Sequence, residues 1–140
     1  MVRRHIPYIL LIDNSPLYAQ LLDLTLEQKQ LRAFLEWIKT SDEALGRLTK
    51  LTYPEDFPDL ILLDWNLKNE KASDFIDFIR NNPLSKNVPV VMLSTHLSRH
   101  QIISSYEHGA NSYVIKEKEP EEISDQVIQL VFYWTKVNLI

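Results

Sequence analysis

Polar side chains suited to metal and phosphoryl chemistry stand at the ends of four short apolar runs in this 140-residue sequence. The clearest run, residues 60–63, has four large apolar residues and stops abruptly at a carboxylate, a pattern typical of a strand buried on both faces. The polar residues that follow the runs are Asp64 after 60–63, Asp13 and Asn14 after 8–12, Ser94 after 88–93, and Lys116 after 112–115.

Four parallel strands with these ends would place acid, amide, hydroxyl and ammonium groups at one edge of a sheet. Open α/β sheets bind their ligands at the carboxyl ends of their strands. Mg²⁺ takes oxygen ligands, and an ammonium group acts on a phosphate as a point charge. The set therefore indicates a site for a divalent metal and a phosphoryl group.

Helical patterns alternate with the apolar runs, which favours a doubly wound α/β fold. The predicted strands are 8–12, 33–38, 60–64, 88–93 and 112–115. The first predicted helix is 16–28, capped by Ser15, and the second starts at the capping-box pair Thr40 and Glu43 and runs to about Leu51. The other predicted helices are one capped by Ser73 that runs through Arg80, 98–108 ended by Gly109, and 120–137 opened by Pro120. In the first helix we expect Leu17, Leu21, Leu24 and Gln28 to lie near one face.

The composition is that of a small domain with a real core, because 45% of residues are hydrophobic. A net charge of -4 argues against nucleic acid as the main partner, and the lack of cysteine excludes a thiolate zinc site or thiol nucleophile. Two glycines cannot build a glycine-rich phosphate loop. The first apolar run is too short for a signal peptide or a membrane span. We expect one cytoplasmic domain over 1–140, with a tail at 1–6 and the last helix at 120–138.

Four motifs resemble the receiver domains of bacterial two-component response regulators, from about Pro7 to the end of the chain. They are ILLIDNSP at 9–16, PDLILLD at 58–64, VPVVMLS at 88–94 and GANSYVIK at 109–116. The resemblance implies a flavodoxin-like fold with a five-stranded parallel sheet in the order 2-1-3-4-5 and five helices. Asn66 and the ending Phe132-Tyr133-Trp134 are most similar to stand-alone receivers that partner phytochrome-type histidine kinases.

The resemblance also implies a function, namely transfer of a phosphoryl group from a kinase histidine to an aspartate with Mg²⁺ bound. By position, the implied metal ligands are Asp13, Asn14, Asp64 and the backbone carbonyl of Asn66. The other implied roles are Asp64 as phosphoacceptor, Lys116 as phosphate-binding lysine, Ser94 as switch hydroxyl and Tyr113 as the aromatic residue whose rotamer reports the state of the site.

The sequence departs from the receiver pattern near this site. Asn14 replaces an acid that normally touches the metal, so two carboxylates remain instead of three and we expect weak Mg²⁺ binding, reduced by roughly 10–100-fold or more. Lys116 is followed by Glu117 rather than proline, so we expect a trans peptide and a different aim for the lysine. Thr95 stands where a small residue usually gives access to the phosphoryl group.

These departures leave three functions open. The first is a working phosphoacceptor, and the second is a degenerate receiver that docks to partners without being phosphorylated. The third is an aspartyl-phosphate phosphatase with Asp64 as nucleophile, but Asn66 stands where such an enzyme needs a general acid. We therefore expect a signalling module rather than an enzyme.

The expected partners are proteins. A histidine kinase or phosphotransfer protein would supply the phosphoryl group, and a downstream protein target would read the result, since we expect no output domain on the chain. Surplus aromatic surface on the last helix predicts a homodimer face. We expect neither nucleic acid nor membrane as a partner.

Overall fold

A computed structural model describes residues 6–65 and 72–138 of the chain. Strands and helices alternate strictly along the described residues, as the apolar pattern predicts. The strands are β1 (Tyr8–Ile12), β2 (Phe34–Ile38), β3 (Leu60–Asp64), β4 (Val90–Ser94) and β5 (Ser112–Ile115). The helices are α1 (Pro16–Gln28), α2 (Ser41–Leu48), α3 (Ala72–Asn81), α4 (Arg99–His108) and α5 (Pro120–Phe132). A short 3-10 helix lies at Pro54–Asp56, and a π-helical turn at Tyr133–Val137 continues α5.

The five strands form one parallel sheet in the order β2-β1-β3-β4-β5, which confirms the flavodoxin-like receiver fold that the sequence resembles. The order places β3 between β1 and β4, with β5 at one edge. In the register, Asp64 pairs with Leu93 and Ser94 pairs with Ile115. The ends of three neighbouring strands therefore lie at one level on the carboxyl edge.

The inner strands are buried on both faces because helices cover the sheet from each side. Every residue of β3 and β4 is buried, which explains their continuous apolar sequences. One core cluster packs α2 and α3 on the sheet, with Phe75, Ile76 and Ile79 fully buried as the helical spacing indicates. The second cluster packs α1 and α5 on the other face, through side chains such as Leu22 and Val127.

Several element boundaries differ from the sequence prediction. Strand β4 begins at Val90 rather than 88, because the amide of Val88 donates to Ser85 O in a turn (2.9 Å). Helix α2 ends at Leu48 rather than near Leu51, and α3 begins at Ala72, so Ser73 lies inside the first turn and is not the residue before the helix. None of the helices in 6–65 and 72–138 has the length and apolar character needed to cross a membrane.

Helix α1 is rotated relative to the face that the leucine spacing favours. Leu17 is 60% exposed and Leu24 is 47% exposed, so the prediction did not identify the buried face. The buried stripe is formed by Tyr18, Leu22 and Leu26, spaced four residues apart. Tyr18 is thereby brought under the carboxyl edge of the sheet.

The turn between α4 and β5 is held by Arg80 on α3. Its Nε donates to Gly109 O (2.9 Å), one terminal nitrogen donates to Val88 O (2.7 Å), and the other to Asn111 Oδ1 (2.7 Å). Gly109 ends α4 as predicted and has φ 111°, a left-handed conformation that favours glycine. A Cβ at this position would lie 2.9 Å from Arg80 Cγ.

Gly109→Ala should lower the free energy of unfolding by about 1–2 kcal/mol, because alanine is strained in the left-handed region and Arg80 is held in place by its hydrogen bonds. Urea titration followed by circular dichroism measures the change. Gly46→Ala is the matched control, since a Cβ there meets no atom within 4 Å, and it should raise stability by about 0.5–1 kcal/mol. Equal effects of the two substitutions on stability would contradict the left-handed conformation and close packing assigned to Gly109.

Candidate functional site

A cleft of about 330 Å³ opens at the carboxyl edge of the sheet, above the ends of β1 and β3. Four of the predicted site residues line it, namely Asp13, Asn14, Asp64 and Lys116. Ser94 and Tyr113 do not line the cleft; Ser94 ends β4, the strand next to β3, and Tyr113 lies on β5, the strand beyond it. Asn66 lies outside the described residues, so the predicted role of its carbonyl stays a prediction.

Asp13 follows β1 and is completely buried. Its Oδ1 accepts a hydrogen bond from Ser15 N (2.9 Å), and its Oδ2 accepts one from Lys116 Nζ. Its backbone oxygen accepts from Trp37 Nε1 (2.6 Å), a support from β2 that the sequence analysis missed. The carboxylate is therefore held in one orientation before any ligand arrives.

Asp64 ends β3 and is 3% exposed. Its Oδ1 lies 3.8 Å from Lys116 Nζ, so the two groups form an ion pair at the base of the cleft. The ammonium group attracts the negative charge of this carboxylate, whose oxygen is the atom that could attack phosphorus.

Lys116 follows β5 and is buried, with its ammonium group between the two carboxylates. Its backbone N donates to Ser94 O (2.8 Å), which continues the ladder between β4 and β5 by one residue. The described residues contain no cis peptide bond, which confirms the trans prediction for Lys116–Glu117. Lys116 makes its direct hydrogen bond to Asp13 and lies further from Asp64, and the expected change of aim relative to the receiver pattern stays a prediction.

Asn14 is exposed and lines the cleft beside Asp13. Within 6–65 and 72–138 no group of three or more acidic, histidine or cysteine side chains could hold a metal ion. Two carboxylates and one amide oxygen are nevertheless an oxygen-only donor set, which is the chemistry that Mg²⁺ requires. The set fits Mg²⁺, but with one charge fewer than three acids would supply and with Lys116 already bonded to Asp13.

Ser94 and Tyr113 meet at the loop between β4 and α4. Ser94 is fully buried, and its Oγ accepts from His96 N (3.0 Å) and donates to His96 O (3.1 Å). The hydroxyl of Tyr113 lies 3.5 Å from the same His96 O and 3.3 Å from Gln101 Oε1. One backbone segment is therefore bonded to both side chains.

Tyr18 on α1 is the site residue that the sequence analysis missed. It is 4% exposed, lines the cleft, and has its ring centroid 4.5 Å from Lys116 Nζ. Burial, followed by the negative charges of Asp13 and Asp64, raises the pKa of Tyr18 well above its ordinary value. The signal available in the sequence was its position three residues after the capping Ser15, whose Oγ accepts from Tyr18 N (3.2 Å).

Comparison with known proteins gives a consistent family match. The family model "Response regulator receiver domain" matches residues 9–128. Response regulator Rcp1 of Synechocystis sp. is 28% identical over 128 residues, covering 90% of this chain and 87% of that protein. The phosphate regulon regulator PhoB of Klebsiella pneumoniae is 33% identical over 82 residues, but these cover 59% of this chain and only 34% of PhoB.

Two solved structures are similar over nearly the whole chain. The Mn²⁺-bound form of response regulator Rcp1 has a TM-score of 0.83 at 28% identity, covering 96% of this chain and 99% of that one. The phosphorylated cyanobacterial phytochrome response regulator RcpA has a TM-score of 0.85 at 24% identity, and the match covers 95% of this chain and 96% of that one. At that identity the likeness to RcpA shows the fold alone.

Tyr18→Phe should flatten the loss of stability at alkaline pH. The pKa of Tyr18 is higher in the folded protein than in the unfolded chain, so its contribution to stability is complete below about pH 10. Above that pH the phenol ionises in the unfolded chain but not in the folded protein, and stability falls by up to ~1.4 kcal/mol per pH unit. Denaturant unfolding between about pH 9 and about pH 11.5 measures the slope. Tyr53→Phe, at a position 61% exposed, should keep the wild-type slope, and identical slopes in all three proteins would contradict the prediction.

Proposed function

We propose that this chain, which belongs to the response regulator receiver domain family, accepts a phosphoryl group on Asp64 from a phosphohistidine of a histidine kinase or phosphotransfer protein. The supporting observation is the buried Asp64 carboxylate, 3.8 Å from the Lys116 ammonium group and beside Asp13 in one open cleft. A nucleophile, a cation and a second carboxylate in this arrangement suit phosphoryl transfer.

The proposed step replaces one bond to phosphorus with another. The phosphorus–nitrogen bond of the phosphohistidine breaks, and its electron pair stays on the imidazole. A carboxylate oxygen of Asp64 forms the new phosphorus–oxygen bond, which gives an acyl phosphate. Lys116 lowers the repulsion between the incoming anion and the two carboxylates, because its ammonium group already lies between them.

Mg²⁺ fits the same cleft as the resident cation. When bound, it would neutralise charge on the phosphoryl oxygens and on the carboxylates. Asp13, Asp64 and the amide oxygen of Asn14 would hold it, and the Mn²⁺-bound form of Rcp1 supports a divalent cation in a protein of this family. We infer weak binding, because Asn14 adds no charge and Lys116 is bonded to Asp13.

The proposed response to phosphorylation begins at Ser94. If its hydroxyl turns to a phosphoryl oxygen, it leaves both of its hydrogen bonds to His96. The freed segment also contacts the Tyr113 hydroxyl, so the change would shift the population of Tyr113 rotamers and alter the surface at β5 and α4.

The kinase we propose is of the phytochrome type, because similarity to Rcp1 covers most of both chains and RcpA is described as a phytochrome response regulator. The match to PhoB supports only the assignment of a receiver domain, since it spans 34% of the length of PhoB. Four further points stay predictions. They are a downstream protein target, a homodimer at the last helix, a stand-alone module and a cytoplasmic location. Phe132 and Tyr133, each 49% exposed, leave aromatic surface for such a dimer.

A second candidate function is a degenerate receiver that docks to partners without phosphorylation. The observation that favours it is the acid pocket itself, where Asn14 supplies no charge and Lys116 is bonded directly to Asp13. In this case the surface at α4 and β5 would be read in one fixed state. The two functions differ in whether Asp64 can be modified.

Incubation with acetyl phosphate and Mg²⁺ should add the mass of one phosphoryl group, measured by mass spectrometry of the intact protein. Asp64→Asn should abolish the adduct, because an amide lacks the anionic oxygen that attacks phosphorus. Asp56→Asn changes an exposed carboxylate at the opposite edge and should leave the adduct unchanged. No adduct on the wild-type protein at any Mg²⁺ concentration would support the degenerate receiver instead.

Mg²⁺ should bind at millimolar or weaker affinity, and Asn14→Asp should tighten binding by at least about tenfold because it restores a carboxylate ligand. Fluorescence of Trp65, which adjoins Asp64, reports binding, and Trp65→Phe identifies its share of the signal. Asn87→Asp makes the same charge change at an exposed position before β4 and should leave affinity unchanged. Micromolar binding by the wild-type protein would show that Asn14 is an adequate ligand.

A further inference from the structure

The hydroxyl of Tyr18 is the unexplained polar group of the cleft. It is a buried side-chain oxygen with no hydrogen-bond partner in the described part of the chain. Buried polar groups are nearly always paired, and leaving one unpaired destabilises the folded state. An unpaired hydroxyl on a residue that lines the same cleft as Asp64 therefore calls for a functional reason.

We propose that Tyr18 is a phosphoryl-binding residue, whose hydroxyl donates a hydrogen bond to an oxygen of the phosphoryl group on Asp64. The inference rests on the proposed function, because it needs a phosphoryl group at Asp64. It assigns this group a donor from α1, in addition to Lys116 from β5 and Ser94 from β4.

The position of Tyr18 is set by the start of α1. Ser15 accepts a hydrogen bond from Tyr18 N and Pro16 opens the helix, so the first turn cannot rotate freely. Tyr18 then lies on the buried stripe of the helix and lines the cleft together with Asp64. Its ring packs against the ammonium group of Lys116, with 4.5 Å between Nζ and the ring centroid.

Burial first, and then the negative charges of Asp13 and Asp64, raise the pKa of this phenol and keep it in its donor form. The surrounding groups are the carboxylates of Asp13 and Asp64 and the ammonium of Lys116. A phosphoryl group adds further negative charge, which also favours a protonated phenol. Tyr18 can therefore donate to an anion at neutral pH, whereas it cannot act there as an anion itself.

The phosphoryl group supplies acceptors that the unmodified cleft lacks near Tyr18. Asp13 already accepts from Ser15 N and Lys116 Nζ, and neither carboxylate reaches the Tyr18 hydroxyl in the structure. A phosphoryl group on Asp64 places three oxygens in a cleft of about 330 Å³ that Tyr18 lines. The hydrogen bond would form only in the modified state, so it would stabilise that state selectively.

Beryllofluoride tests the inference, because it binds an aspartate as a tetrahedral analogue of an acyl phosphate. We would titrate it at a fixed Mg²⁺ concentration and follow the rise in melting temperature. Tyr18→Phe removes only the hydroxyl and keeps the ring against Lys116. The half-saturating concentration should rise at least about tenfold, the loss expected for a hydrogen bond to a charged acceptor.

The unliganded protein provides the readout that separates binding from packing. Without beryllofluoride, Tyr18→Phe should melt no lower than the wild-type protein, because no hydrogen bond is lost. A merely structural role would lower that melting temperature and leave half-saturation unchanged, and this result would overturn the inference. Tyr53→Phe is the matched control at an exposed position and should match the wild-type protein in both measurements.

The outcomes also separate this inference from the proposed function. If the wild-type protein and Tyr53→Phe respond to beryllofluoride and Tyr18→Phe responds equally well, only the role of Tyr18 is overturned. If the wild-type protein shows no response at saturating Mg²⁺, phosphoacceptance at Asp64 and the role of Tyr18 are overturned together.

Discussion

The structure of this edge of the molecule depends on one buried charge interaction, the Lys116 ammonium group between the carboxylates of Asp13 and Asp64. Removing three charges from water is costly unless they compensate one another at short range. The compensation requires β1, β3 and β5 to end at the same level, although their residues lie far apart in sequence. The parallel order of the sheet is what brings them together, so the fold and the site are consequences of the same strand arrangement.

That interaction also sets the chemistry available to the cleft. Two carboxylates and one ammonium leave a single excess negative charge, and Asn14 does not add to it. A divalent cation would therefore be attracted less strongly than by three acids, and it would compete with Lys116 for Asp13. Neutral hydrogen-bond donors become more important in such a site. Tyr18 and Ser94 are the two donors that we propose, one from α1 and one from β4.

The proposed coupling from the cleft to the surface has a simple physical basis. Ser94 has one hydroxyl, and that hydroxyl cannot keep both bonds to His96 while it turns to a phosphoryl oxygen. The loop that it would release contacts Tyr113, which is only partly buried. In contrast, the neighbouring turn at Gly109 is held by Arg80 through several hydrogen bonds. The part of this face that we propose to move and the part held in place thus differ in their hydrogen bonds.

The sequence by itself determined the strands, the helix caps at Ser15 and Thr40, and the polar residues at the strand ends, because these signals are local and repeat with the period of each element. Only the tertiary structure decided the buried face of α1, the bond from Lys116 to Asp13 and the support from Trp37, since each depends on residues distant in the chain. Tyr18 shows most clearly what the sequence could not determine. Its neighbours in sequence indicate a helix, but the rotation of that helix against the sheet is set by packing, and packing alone brings its side chain to the cleft.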